Sequence, residues 1–304
     1  MVSKQTIAME GRVLTLSNMN KILWPERGFT KADLISYYVA VSQVLIPHLK
    51  DRLLVMTRYP NGVEGKSFYQ KNAPEHLPEW IRTFTYSGTR YILVEETATL
   101  VWLANQGAIE LHPWLSRSSS LDCPDFLIID LDPSPANSYK QVVEAALAFK
   151  TLLDQFQLQS FLKTSGGDGL HIYVPIQPLY SYQVVRELGR VMASMVVQLF
   201  PDFTTIERSV EKRGDKIYLD YMQNVRGKTL CAPYSVRPRA RATVSTPLSW
   251  DEIHMVKPED FDILSTPQRL QQTGDLFAGV LNTKQSLDYV LKQLGITNPA
   301  EARI

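Results

Sequence analysis

Apolar residues recur at helical spacing in three stretches of the chain. Leu34, Tyr38, Val41 and Leu45 follow Thr30, and Asp33 stands where a capping box needs its acid, so a helix entered at Thr30 is predicted. A second helix follows Ser138, with Val142, Ala146, Phe149, Leu153 and Phe156 on one face. A third covers about 182–199, and its stripe of Val185, Leu188, Met192, Met195 and Leu199 reads as a core face. Short apolar runs between the helices predict strands at 91–94, 109–112, 126–131, 170–174 and 216–221, the last fed by a turn at Arg213-Gly214-Asp215. This interleaving predicts an α+β protein with mixed or antiparallel sheets. No internal repeat or low-complexity linker interrupts it. Residues 243–249, rich in Pro, Ser and Thr, read as a connection, and the polar stretch from 275 onward reads as a peripheral helical cap.

Composition narrows the class without naming a chemistry. A chain of 304 residues with 44% hydrophobic content can bury a full core without disulfides. The formal net charge is only +1, so any role with nucleic acid has to rest on local basic patches rather than on a whole-molecule field. Cys123 and Cys231 form neither a disulfide framework nor a metal-ligand spacing, which suits an intracellular protein. Residues 1–16 lack the apolar core of a signal peptide, and no run approaches the roughly 20 apolar residues of a membrane span. The expectation is a soluble, cytoplasmic protein with no membrane partner.

The most informative segment is Phe126-Leu-Ile-Ile-Asp130-Leu-Asp132-Pro133. Four apolar residues suggest a buried strand, and side chains alternate along a strand, so Asp130 and Asp132 share one face. Like charges placed that way repel, and a hard divalent cation such as magnesium or manganese removes the conflict. The alternative is a strand end whose acids are simply solvated. In Lys216-Ile-Tyr-Leu-Asp220-Tyr, Tyr218 and Asp220 share a face opposite Ile217 and Leu219. Brought beside the first pair, Asp220 would complete a cage for two metals; an isolated strand Asp is more often a surface residue.

Thr164-Ser-Gly-Gly-Asp-Gly-Leu-His171 joins two predicted strands. Its glycines permit a tight turn that could present N–H groups to an anion, with Ser165 adding a hydroxyl donor. No Gly-Lys-Ser/Thr follows, so a Walker-type ATPase is unsupported, and a plain hairpin turn is the competing reading. His171 sits where an imidazole could donate to a phosphate oxygen, and His112 closes another strand with Ile109 and Leu111 facing the other way. Residues 226–241 carry Arg226, Lys228, Arg237, Arg239 and Arg241 with little acid between them, a grip for phosphates or a solvated basic loop. Lys21 and Lys31 flank the first helix entry. Phe68 and Tyr69 are adjacent aromatics beside Lys71, able to stack on unpaired bases or to fill a core.

Taken in order, these pieces resemble the polymerase domain of bacterial DNA ligase D, within the archaeo-eukaryotic primase superfamily. The resemblance is carried by Asn18-Met-Asn-Lys21, Arg58-Tyr-Pro-Asn-Gly62, Phe68-Tyr-Gln-Lys71, Glu110-Leu-His-Pro-Trp114 and Asp130-Leu-Asp-Pro133. It continues through Thr164–His171, Leu219-Asp-Tyr-Met-Gln-Asn224, Ala232-Pro-Tyr-Ser-Val-Arg237 and Pro247-Leu-Ser-Trp250, and spans about 15–277. It implies a single primase-polymerase domain over 1–304, an RRM-like catalytic sheet closely packed with a smaller α/β lobe, with 278–304 as a peripheral helical tail. It implies that Asp130, Asp132 and Asp220 hold two divalent metals, usually manganese, with magnesium as the alternative. Ser165, His171, Arg237 and Arg239 would surround the nucleoside triphosphate, and His112 would line the same pocket. Asn18, Lys21 and Lys31 match positions that hold the 5′-phosphate at a DNA end or gap, and Phe68 and Tyr69 match a pair that packs against the template. Asp168 departs from the pattern, since many relatives carry lysine there.

The activity implied is template-directed extension of DNA 3′ ends and gap filling, favouring ribonucleotides, in non-homologous end joining. Ku and a DNA ligase would be its partners in the bacterial cytoplasm, near the nucleoid. No ligase or nuclease motif accompanies the domain, so the sequence suits either a stand-alone polymerase or one part of a longer chain. Two other classes fit subsets of the residues: a metal-dependent phosphohydrolase or nuclease, which also clusters acids, and a non-catalytic DNA-end binder, which leaves the paired aspartates without a purpose.

Overall fold

The computed structural model describes residues 4–298, and the chain divides into two compact units. The first comprises residues up to 114 together with 229–246 and 258–275; the second comprises 115–228, 247–257 and 276 onward. The 243–249 connection crosses from the first unit to the second between Thr246 and Pro247.

In the first unit, β1 (Lys4–Met9) and β2 (Arg12–Ser17) form an antiparallel hairpin, and β3 (Ile22–Trp24) pairs with β4 (Phe29–Thr30). The helix α1 (Lys31–Leu49) starts where the sequence places it. Thr30 accepts from the Asp33 amide while Asp33 accepts from the Thr30 amide at 2.7 Å, so two orphan donors are satisfied reciprocally. Leu34, Tyr38, Val41 and Leu45 are all fully buried, and α1 packs against α2 (Thr97–Asn105). An antiparallel sheet contains β5 (Leu54–Arg58), β6 (Phe68–Gln70), β7 (Thr83–Tyr86), β8 (Thr89–Ile92) and β9 (Ala108–Pro113), with β5 between β9 on one side and β6 and β8 on the other.

The second unit is built on a six-stranded sheet in the order β13-β14-β10-β12-β11-β15. Its strands are β10 (Phe126–Asp132), β11 (Phe161–Thr164), β12 (Leu170–Pro175), β13 (Thr204–Thr205), β14 (Ile217–Asp220) and β15 (Pro247–Leu248). Only the β13–β14 pairing is parallel. Leu127, Ile129 and Leu131 share one face with Ile172, Val174 and Leu219, and all are buried. Two helices, α3 (Tyr139–Gln155) and α4 (Tyr182–Leu199), pack on this sheet, and Gly189 of α4 lets the helix settle onto Leu127. The other face carries Asp130, Asp132, His171 and Asp220.

Two sequence expectations need correcting. Met195 and Leu199 do not belong to the α4 core stripe: Leu199 is 62% exposed, and the buried side chains are those of Tyr182, Val184, Val185, Leu188, Met192, Ala193 and Val196. A strict i+3/i+4 extrapolation follows the helix past the end of the surface it covers. The stretch after 275 is also more than a peripheral polar cap. It forms short helices at Ala278–Asn282 and Asp288–Gln293, and Phe277, Val280, Leu287, Val290 and Leu291 are buried. Phe277 packs edge-on against Tyr173 and Phe161, so a few apolar residues anchor a segment whose average composition is polar. The last part of that expected tail, 299–304, lies outside the described residues.

Candidate active site

Strand register assembles the carboxylates. Asp130 is the direct cross-strand partner of Asp220, and Asp132 is the partner of Tyr218. On its other side Asp130 is paired with His171, which is in turn paired with Lys163. Directly opposed residues point to the same side of a sheet, so Asp220, Asp130, His171 and Lys163 form one row across four strands. Asp132 stands two residues beyond Asp130 on that face. Asp220 ends its strand by accepting from the Met222 amide at 2.8 Å, which turns the chain into a 3-10 turn at Tyr221–Asn224. This places Gln223 so that its amide reaches Asp130 Oδ2 and Asp220 Oδ2, each at 3.2 Å.

The three acids differ in electrostatic state. Burial alone would raise the Asp130 carboxyl, but the His171 imidazole, the Lys163 ammonium and the Gln223 amide outweigh it and hold it below the ordinary range. Asp220 is pushed up by burial and by the charge of Asp130. Asp132 is pushed up by burial and by Asp130, with Asp168 adding to the effect and Arg213 opposing it. Arg213 lies 3.5 Å from Asp132 Oδ2 and its guanidinium stacks 3.9 Å above the Tyr218 ring. The acids are hard oxygen donors whose mutual repulsion a divalent cation would relieve, so the donor set fits such an ion. Among the described residues, however, no three His, Cys, Asp or Glu side chains form a ready metal-holding group. His171, Gln223 and Arg213 engage the acids instead.

The 164–171 loop is organised from within. The Ser165 hydroxyl oxygen accepts from the Gly167 and Gly169 amides at 3.0 and 3.1 Å, and the Ser165 amide donates to the Gly169 carbonyl at 2.9 Å. Those two glycine N–H groups are therefore turned inward rather than presented to an anion, as the glycine content alone suggested. Gly166 adopts φ +71, the left-handed region that favours glycine. At Gly169 a Cβ would stand 2.0 Å from the Leu131 carbonyl oxygen, so only glycine allows the loop to lie against β10.

The remaining candidate residues fall on the first unit. Asn18, exposed and at φ +53, opens a turn in which the Lys21 amide donates to its carbonyl, and the Lys31 amide donates to the Lys21 carbonyl. Lys21 Nζ is held by Asn61 at 2.8 Å, and Lys31 Nζ by the Asn105 carbonyl and side chain at 3.0 and 3.1 Å. Burial and the charge of Lys21 lower the Lys31 pKa. Phe68 and Tyr69 are 48% and 59% exposed on β6, each beneath a lysine ammonium, from Lys66 and Lys71. Core packing does not account for that pair.

His112 and Arg237 both meet Glu110, with His112 Nε2 at 3.8 Å and Arg237 Nε at 3.0 Å from its carboxylate. Arg239 is exposed. Sequence reading passed over Lys163, Gln223, Arg213, Glu110 and Asn105. A lysine inside the apolar strand Phe161–Thr164, and an acid two residues before His112, were the available signals.

The family model for the LigD primase-polymerase domain matches residues 30–277, most of the chain. The chain belongs to this family. It is 35% identical over 286 residues to the bifunctional non-homologous end joining protein LigD of Bacillus subtilis, covering 92% of this chain and 46% of that protein. It is 32% identical over 269 residues to the multifunctional LigD of Mycolicibacterium smegmatis, covering 86% of this chain and 35% of that one. The LigD-family domain thus spans less than half the length of these relatives. Among solved structures, the polymerase domain of Mycobacterium tuberculosis ligase D, determined in complex with DNA, superposes with a TM-score of 0.82 at 30% identity, covering 90% of this chain and 99% of that one. The expected α+β fold is that of the LigD polymerase domain, and the chain is a nucleotidyltransferase of the polymerase class.

Proposed function

We propose that this LigD-family domain adds nucleotides to DNA 3′ ends under template direction and fills gaps during non-homologous end joining, with a preference for ribonucleotides. The observation that supports this most directly is the pairing of Asp130 with Asp220 on neighbouring strands, with Asp132 on the same face. Asp130, Asp132 and Asp220 would hold two divalent cations, manganese first and magnesium second. When bound, such ions stabilise the charge on the entering and leaving oxygens of a phosphoryl transfer.

The protein's own groups have separable tasks in this reading. Ionised Asp130 anchors the acidic face, and Gln223 fixes its orientation relative to Asp220. Ser165 keeps the 164–171 loop folded against β10, which sets the position of His171 for a triphosphate oxygen. Arg213, stacked on Tyr218, supplies a cation beside Asp132 that can turn to a phosphate. The assignment of His112, Arg237 and Arg239 to the same nucleotide rests on the family resemblance.

DNA ends with a 5′-phosphate would be held by Asn18, Lys21 and Lys31. Two ammonium groups close enough for one to depress the other, at the positive end of α1, favour an anion. Phe68 and Tyr69, exposed beneath their lysines, offer faces for unpaired template bases. The relative from M. tuberculosis was solved with DNA, which supports a DNA substrate here. Ku and a ligase are the partners this role requires.

The test is incubation of the purified protein with a labelled primer-template, manganese and nucleotides. Lengthening by the wild type and its loss in Asp130→Ala, with DNA binding retained, is the expected result. Shortening of the label would favour a nuclease, and extension by Asp130→Ala would remove the proposed centre.

A further inference from the structure

Lys163 is the least expected member of the four-strand row. It is fully buried in β11, where a charged ammonium carries a large desolvation cost and persists only if strongly hydrogen-bonded. Its Nζ lies 2.7 Å from His171 Nδ1 and 5.7 Å above the centre of the Tyr173 ring, which itself packs on Phe277. On the far side of the imidazole, His171 Nε2 lies 3.3 Å from Asp130 Oδ1. Both nitrogens of one ring are thus addressed by groups of opposite hydrogen-bonding character.

That polarity selects a tautomer. An ammonium has three hydrogens and no acceptor, so the nitrogen it meets has to offer a lone pair. Nδ1 therefore accepts, and the ring hydrogen resides on Nε2. A carboxylate oxygen only accepts, so the group across from Asp130 is best a donor, and Nε2–H is that donor. The two ends of the row agree on the same state. A ring fixed this way cannot coordinate a cation through Nε2 or take a proton there from a primer hydroxyl, because the lone pair it would need is occupied.

We propose that Lys163 is a positioning residue that fixes His171 as the Nε2–H tautomer, so that His171 works at the acidic face as a hydrogen-bond donor and neither as a metal ligand nor as a general base. The final acceptor of that donor, a triphosphate oxygen, rests on the polymerase reading above; the tautomer itself does not.

The experiment is 15N NMR of the imidazole nitrogens in the 304-residue chain, with His171→Asn used to assign the signal. The expected spectrum has His171 Nδ1 unprotonated and Nε2 protonated. Lys163→Met should move the hydrogen or distribute it over both nitrogens, and Lys163→Gln, which leaves an amide donor in the slot, should largely restore the wild-type pattern. A proton on Nδ1 in the wild type, or a pattern indifferent to Lys163→Met, overturns the proposal. If Lys163→Met does not fold, the wild-type and Lys163→Gln spectra still decide the tautomer.

ATP binding in manganese buffer supplies the second arm. Lys163→Met should weaken it about tenfold in the wild-type background and less than about twofold when His171 is already alanine, because residues acting as a unit are non-additive. Equal losses in both backgrounds would show that Lys163 does not act through His171. A wild type that binds no ATP but shows the expected tautomer would instead count against the polymerase reading and leave the role of Lys163 on the ring intact.

Discussion

Asp130 and Asp220 stand directly across from each other on adjacent antiparallel strands, bridged by the single amide of Gln223. Burial, and after it the opposed charge of Asp130, raise the Asp220 pKa, so the cost of the paired acids falls on Asp220. A carboxyl raised on folding binds its proton more tightly in the folded state, so its ionised form costs stability at neutral pH. Asp220→Asn should therefore raise the melting temperature of the metal-free protein by roughly 2–4 °C, the shift that about 1 kcal/mol produces in a domain of 150–250 residues. The advantage over wild type should shrink as pH falls through the range just above the ordinary aspartate value. Calorimetry in chelator measures both, and the same variant should not extend primers. An unchanged or lower melting temperature would argue that the buried Asp220 charge, beside Asp130, costs the fold nothing.

Glu110 has the opposite sign. Burial raises its carboxyl, but the hydrogen bond from His112 and the charges of Arg237 and His112 prevail, and its pKa is lowered. Its ionised form thus contributes stability that is present above the ordinary glutamate value of 4.5 and is lost as pH falls through the lower folded value. Glu110→Gln should cost about 1–3 kcal/mol at neutral pH, in the range of a lost charge-assisted hydrogen bond. The gap from wild type should close below pH 4.5, which denaturant titrations across pH would reveal. A gap that stays constant with pH would leave Glu110 no ionic role.

Lys21 and Lys31 differ in how firmly they are built in. Lys31 is buried and tied to Asn105, whereas Lys21 is partly exposed and its ammonium donates to the Asn61 side chain. Either lysine changed to alanine should weaken binding of a 5′-phosphorylated gap about tenfold, the loss of one charge-assisted contact, and leave the unphosphorylated gap nearly unaffected. Lys31→Ala should in addition lower the melting temperature. Fluorescence anisotropy on the two gaps checks the first point, and equal losses on both would end the 5′-phosphate assignment.

Gly169→Ala tests the packing of the loop behind His171. The new Cβ would meet the Leu131 carbonyl oxygen, and backbone on both sides cannot yield cheaply. A loss of at least about 2 kcal/mol is expected, the middle of the range for overpacked sites, with nucleotide binding weakened as His171 moves. Wild-type stability in this variant would mean the loop can lift off β10 freely.

Much of this protein was legible in its sequence because periodicity encodes which side of an element is buried. The Thr30–Asp33 capping box, the α1 core face and the shared face of Asp130 and Asp132 all follow from local spacing. Which strands become neighbours is a different matter, because it depends on how distant apolar faces bury one another. Only tertiary pairing could set Asp220 against Asp130, bring Lys163 to His171, or turn the Gly167 and Gly169 amides onto Ser165. The same long-range packing left Leu199 in solvent and drew Phe277 into the core, since burial is decided by the surface that arrives and not by the pattern that awaits it.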